Sequence, residues 1–205
     1  MHDSLPEGPF RTISADPPWP YDTATKRTRA IPTKLIQGGS RLGKSVSDWS
    51  YSPMPMDEIL ALSVRDVADS SAHLYLWVTN AFIAEGMEVM AAWGFKYKTM
   101  LTWTKTQDSH PIRVSMKSGF YFRGATEHVL FGVRGSCPPP DGLALPTGYL
   151  WPRLARHSEK PHEFYRDVAE KMSPEPRLEM FARGPRVGWT TWGNQAEDPD
   201  SLFAP

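Results

Sequence analysis

The sequence predicts an α/β protein: a sheet with helices on both faces. Two observations carry that expectation. Strand-like and helix-like stretches alternate along the chain, and one of the strand-like runs is apolar almost without interruption, as a strand covered on both faces would be. At 205 residues the chain is long enough for one well-filled core, so a single domain over 1–205 is expected.

Each element has a local reason. "FRTISA" (10–15) reads as a short strand ended by Asp16-Pro17-Pro18. "PMDEILALSVRDV" (55–67) places Met56, Ile59, Leu60, Val64 and Val67 at helical spacing. "AHLYLWVTN" (72–80) is the apolar strand, and "AFIAEGMEVMAAWGF" (81–95) is a helix stopped by Gly94. "KYKTMLTWTK" (96–105) and "EHVLFGVRG" (127–135) are further strands. "PHEFYRDVAEKM" (161–172) is an amphipathic helix, and "RLEMFA" (177–182) and "GWTTWGN" (188–194) close the chain as strands. Ligands in such sheets lie beyond the carboxyl ends of the strands. That rule singles out Asp16, Asn80, Lys105, Glu179 to Arg183, and Asn194-Gln195.

Composition narrows the function classes. Apolar residues are 40% and charged residues 22%, as in ordinary globular proteins. No run approaches the roughly 18 apolar residues of a membrane span, and no signal pattern opens the chain, so a cytoplasmic protein without a membrane partner is expected. The lone Cys137 excludes an internal disulfide. Net charge is zero, so attraction to nucleic acid needs a local patch. Residues 20–55 supply one: Lys26, Arg27, Arg29, Lys34, Arg41 and Lys44 lie between Asp22 and Asp48 with no acid among them, in a stretch that reads as a long flexible loop.

The chemistry concentrates in Asp16-Pro17-Pro18-Trp19. Two prolines fix two φ angles and remove two N–H donors, leaving the Asp16 carboxylate and the Pro17 carbonyl as acceptors on a stiff backbone. Such a pair suits an amine with two hydrogens, for example the exocyclic amine of adenine or cytosine. Trp19 offers a flat face for a base, a contact worth about 1–3 kcal/mol. Methyl transfer to a weakly nucleophilic amine needs that orientation and fixed electrostatics more than a strong base.

Seven segments in order resemble the MT-A seventy family of S-adenosylmethionine-dependent adenine N6-methyltransferases. They are "ADPPW" (15–19), "LYLWVTN" (74–80), "WGF" with "WTKT" (93–106), "GATEHVLFGVRG" (124–135), "RHSEKPHEFY" (156–165), "RLEMFAR" (177–183) and "GWTTWGNQ" (188–195). The resemblance implies a Rossmann-like methyltransferase sheet in permuted order, with the catalytic motif ahead of the cofactor motif. It implies S-adenosylmethionine as methyl donor, no metal, and adenine N6 in DNA as acceptor, with RNA as the alternative substrate. A catalytically silent, nucleic-acid-binding scaffold is the alternative of a different class, against which the intact "DPPW" stands.

The resemblance also implies roles. Asp16, Pro17, Pro18 and Trp19 are catalytic, with Asp16 also touching the cofactor. Lys160 lies between the cofactor and the target base, Glu179 and Arg183 reach the cofactor ribose and its surroundings, and Asn194 and Gln195 close on the ribose. Trp19, Tyr21, Lys26, Arg27, Arg29 and Lys160 face the nucleic acid, and a homodimer or a partner subunit is a possible assembly. The residues agree in kind: Glu179 lies among apolar neighbours and needs a partner, for which two hydroxyls or Arg183 would serve. Arg183-Gly184-Pro185-Arg186 stands where a glycine-rich loop is usual. Adjacent Glu127 and His128 must point to opposite faces of a strand, so they cannot share a ligand; one of them supporting the site is the resemblance's implication, and a structural role is the preferred reading. The tryptophans Trp77, Trp93, Trp103 and Trp192 are expected in the core.

Overall fold

A computed structural model describes residues 4–20, 53–107, 110–116, 121–152 and 159–196. Tyr21, Lys26, Arg27 and Arg29, and with them nearly all of the basic segment, lie outside the described residues. In chain order the elements are β1 (Phe10–Ala15), α1 (Met56–Ala61), α2 (Val64–Val67), β2 (Ala68–Val78), α3 (Ile83–Ala92), β3 (Lys96–Gln107), β4 (His110–Val114) and β5 (Thr126–Arg134). Then follow β6 (Gly148–Pro152), a π-helical segment (Phe164–Ala169) running into α4 (Glu170–Met172), β7 (Arg177–Met180) and β8 (Thr190–Trp192).

The eight strands form one sheet in the order β4-β3-β5-β2-β1-β7-β8, with β6 pairing β3. β1, β2, β3, β6, β7 and β8 run the same way, while β4 and β5 run against them. The start of β5 therefore lies at the same end as the last residues of β1, β2 and β7, which brings Glu127 to the end where Asp16 leaves the sheet.

The apolar run in β2 is divided between two cores. Leu74, Leu76 and Val78 pack with Ile59, Val89, Met90 and Trp93 of the α1–α3 face, whereas Tyr75 and Trp77 pack with Trp103, Phe164, Tyr165 and Val168 on the other face. Alternation along a fully buried strand thus serves both layers, and each buried leucine contributes about 1.5–3 kcal/mol. Helix α3 lies close on the sheet because Gly86 has no side chain: a Cβ there would stand 2.6 Å from Val78 Cγ1 and 2.9 Å from Leu130 Cδ1. It ends where Gly94 takes a left-handed φ of +85°, as the sequence suggested. The four tryptophans expected in the core, Trp77, Trp93, Trp103 and Trp192, are all buried there.

Several boundaries differ from expectation. The helix read over 55–67 breaks at Leu62-Ser63, and β2 begins at Ala68 rather than 72; the Arg134 guanidinium bonds the carbonyls of Arg65 (2.7 Å) and Ala68 (3.1 Å) across that junction. The helix read over 161–172 is π-helical from Phe164 to Ala169. Its wider turn buries Phe164, Tyr165, Val168 and Ala169 together. Strands β4 and β6 lie outside the elements expected from the sequence; β6, "GYLWP", is short and closes on a proline suited only to an edge. No helix among the described residues is long and apolar enough to cross a membrane.

Candidate active site

Asp16 leaves β1 into a backbone that is locked on both sides. The Pro17 carbonyl accepts the Trp19 N–H at 2.8 Å, and the Pro18 carbonyl accepts the Met54 N–H at 2.8 Å. The Pro17 oxygen keeps a second lone pair. Trp19 departs from its expected open position: it is 3% exposed, its indole N–H donates to the Trp77 carbonyl at 3.0 Å, and its ring stacks on Phe82 at 5.4 Å and 15°. It is a wall of the core behind the Asp16 turn, with one face already taken by an aromatic ring.

Beside the turn lies a row of four charged groups. Lys160 Nζ is 3.0 Å from Asp16 Oδ2 and 2.9 Å from Glu127 Oε2, and the other Glu127 oxygen accepts from Lys105. The Lys160 ammonium also sits 4.9 Å over the Trp77 ring, and that of Lys105 4.5 Å over Trp103. Burial pushes the Asp16 carboxyl above its ordinary value, against the pull of Lys160. Glu127 is drawn down to about 2: burial opposes this, but two lysines outweigh it. Lys160, between two carboxylates, is held charged more firmly than a free lysine despite its burial.

The strand-end rule put Asp16 and Lys105 at this end, the resemblance brought Lys160 there, and Glu127 entered only as one of two candidates for a supporting part; the pairing of Lys105 with Glu127 was not anticipated. The signal was present: "KYKTMLTWTK" and "EHVLFGVRG" each carry one charge that falls inside the sheet, of opposite sign. His128 points away from Glu127, as a strand requires. It meets Thr102 Oγ1 at 3.1 Å and Asn80 Oδ1 at 3.1 Å.

A second polar group sits around Glu179 on β7. Tyr165 donates to Oε1 at 2.7 Å and Arg186 Nε to Oε2 at 2.6 Å, with the Arg186 guanidinium carbon over the Tyr165 ring, 3.4 Å from its centroid. The arginine that bonds Glu179 among the described contacts is Arg186, where the sequence offered Arg183. Arg183 is half-buried and its charge acts on Asp16. Asn194 is exposed and Gln195 half-buried just beyond β8, whose neighbour is β7. His162 is exposed, near Glu159 and Arg186. Among the described residues no three His, Cys, Asp or Glu side chains gather as a metal-binding group.

The arrangement can present carboxylate and carbonyl acceptors to an amine next to a fixed ammonium. Comparison with known proteins agrees with a methyl-transfer setting. The type II methyltransferase M.MunI of a Mycoplasma species is 28% identical over 196 residues, covering 95% of this chain and 81% of that protein. The human N(6)-adenosine-methyltransferase catalytic subunit METTL3 is 27% identical over 201 residues, 94% of this chain and 30% of its own. A probable N(6)-adenosine-methyltransferase MT-A70-like protein of Oryza sativa is 28% identical over 191 residues, 92% of this chain and 23% of its own. The chain therefore spans most of the first relative and less than a third of the other two. A family model described as MT-A70 matches residues 10–195, from the first strand through the amide pair, and the chain belongs to the MT-A70 family of methyltransferases.

Proposed function

We propose that this chain transfers a methyl group from S-adenosylmethionine to the N6 amine of adenine in DNA. The observation that carries the reading is the Asp16 carboxylate, held 3.0 Å from Lys160 at the mouth of a donor-poor proline turn. When bound, the cofactor supplies an electrophilic methyl carbon on a sulfonium sulfur. Asp16 and the free lone pair of the Pro17 carbonyl accept the two amine hydrogens and turn the nitrogen lone pair outward. Transfer to the nitrogen would leave the amine with one proton to lose, for which Asp16 is the adjacent acceptor, while the sulfonium would be left as a neutral thioether.

The donor set fits the cofactor's ribose. Glu179 accepts one bond on each oxygen and so keeps lone pairs for hydroxyls, and Asn194 stands exposed beyond the neighbouring strand. Arg183 and Gln195 flank the same end, and Lys160 stands between this group and the target amine. Tyr21, Lys26, Arg27 and Arg29 are assigned to the nucleic-acid backbone. Specificity comes from that segment, from a second copy or from a partner subunit. A duplex target would have to present its adenine by base flipping.

DNA is preferred because the relative whose length this chain largely spans, 81%, is the type II methyltransferase. RNA is the second reading, favoured by relatives named for adenosine. Purified protein with labelled cofactor and single-stranded DNA, duplex DNA or RNA, followed by nucleoside analysis, tests all of this. N6-methyldeoxyadenosine is the expected product, abolished by Asp16→Ala in a folded protein. Methylcytosine overturns the adenine assignment, and label in RNA alone moves the substrate to the second reading. Nucleic-acid binding without transfer identifies a scaffold.

A further inference from the structure

The proposed reaction employs Asp16 and Lys160 and leaves the buried charges of Glu127 and Lys105 without a part. Glu127 is 7% exposed and Lys105 6%. They face each other from the neighbouring strands β5 and β3, whose register sets Trp103 opposite Glu127. An internal ion pair is seldom the stablest filling for such a place, since a well-packed apolar pair of the same volume is often neutral or better. Here the pair continues into a second one, so that signs alternate along the row from Lys105 through Glu127 and Lys160 to Asp16.

Lys160 is shared. Its ammonium lies 2.9 Å from Glu127 and 3.0 Å from Asp16, so each carboxylate limits what the other receives. Lys105 in turn engages the far oxygen of Glu127 and limits what Glu127 takes from Lys160. We infer that Glu127 and Lys105 are positioning residues that set the proton affinity of Asp16 in opposite directions, by dividing one lysine between two carboxylates. The inference rests on Asp16 being the group that meets the target amine. A carboxylate clamped by an undivided lysine would hold the amine's hydrogens and accept the released proton poorly; one with no lysine would be protonated before the amine arrived.

Asp16 is faced by Lys160 from the segment ahead of the π-helix, Glu127 from β5, Arg183 from the loop after β7 and Tyr165 from the π-helix itself. Among these, replacing Glu127 acts in one sense only. It removes a like charge and frees Lys160 for Asp16, and both effects favour the ionised Asp16. Replacing Lys105 acts in the other sense, because it removes a cation and leaves both Glu127 oxygens to compete for Lys160.

The test is a carbon-detected NMR titration of the Asp16 carboxyl in the full chain, assigned with Asp16→Asn, alongside kcat against pH for methyl transfer. In Glu127→Gln the Asp16 titration and the acid limb of kcat both move to lower pH, and kcat falls on the order of 100-fold as the ammonium shifts toward Asp16. In Lys105→Met both move to higher pH, and Lys105→Arg returns them toward the original position. Shifts of the same sign in the two variants, or unmoved titrations with reduced activity, overturn the inference. Should Glu127→Gln fail to fold, the Lys105→Met and Lys105→Arg pair decides alone, and an unmoved titration in Lys105→Met overturns it. A wild-type protein that methylates nothing refutes the proposed reaction and leaves the titration to judge the charge row by itself.

Discussion

The two ends of β2 and β5 both bury a polar network, and the networks are built on opposite principles. Toward one end, Lys105, Glu127, Lys160 and Asp16 place four charges in a row. Toward the other, His73 Nδ1 meets Ser173 Oγ at 2.7 Å, Tyr75 OH meets the same oxygen at 2.6 Å, and His73 Nε2 meets the Cys137 carbonyl at 2.8 Å. One arrangement of protons satisfies this second set. The carbonyl can only accept, so Nε2 carries the hydrogen; Nδ1 then accepts from Ser173, and Ser173 accepts from Tyr75. Burial keeps His73 neutral by lowering its pKa and raises that of Tyr75. Joining a sheet to its flanking segments needs no charge, which makes the charged end the exception in want of a chemical reason.

The comparison breaks most visibly at Asp16. Asp16→Asn keeps the shape and removes a charged acceptor, so kcat/KM should fall by about 1,000-fold or more in a protein that still folds, measured by label transfer and circular dichroism. Ser173→Ala is its mirror. It leaves His73 and Tyr75 without their shared partner and should cost about 1–3 kcal/mol in urea unfolding while transfer per folded molecule stays the same.

Acid sharpens the contrast through two windows. A histidine whose folded pKa lies below 6.5 contributes fully above that pH and loses its contribution as pH falls below it. Glu127, at about 2 against an ordinary 4.5, contributes above 4.5 and loses its contribution between those values. Asp16, raised by burial, acts in the opposite sense and offsets part of that second loss. Urea midpoints followed from pH 8 to 3 should therefore drop in two stages, and Glu127→Gln should remove the second while keeping the first. A smaller effect belongs to Arg186→Ala, which frees one Glu179 oxygen from its charged donor and should weaken cofactor binding about tenfold by calorimetry. The exposed Arg166–Asp167–Lys171 contacts stand at the foot of the scale: Asp167→Asn should leave both stability and transfer unmoved.

Much of this was legible in the sequence because it is local. A strand ended by two prolines, an apolar run long enough for two cores and a glycine after α3 each declare themselves within a few residues. The partner of Glu179 did not. Arg183 and Arg186 are both arginines at short spacing from it, and only the turn after β7, where Phe181 takes a φ of 61°, decides that Arg186 returns to the carboxylate. Lys105 and Glu127 are 22 positions apart, and their meeting depends on β5 running antiparallel to β3. The cover on Trp19 was hidden for the same reason, since the ring that stacks on it, Phe82, arrives from beyond β2.

The bond from Met54 N–H to the Pro18 carbonyl has one more consequence. The chain departs at Trp19 and returns at Met54, and both side chains are sealed in the core at 3% exposure. A substitution at Met54 should therefore be felt at the Asp16 turn, because the bond to Pro18 and the two buried side chains tie these distant stretches of chain together.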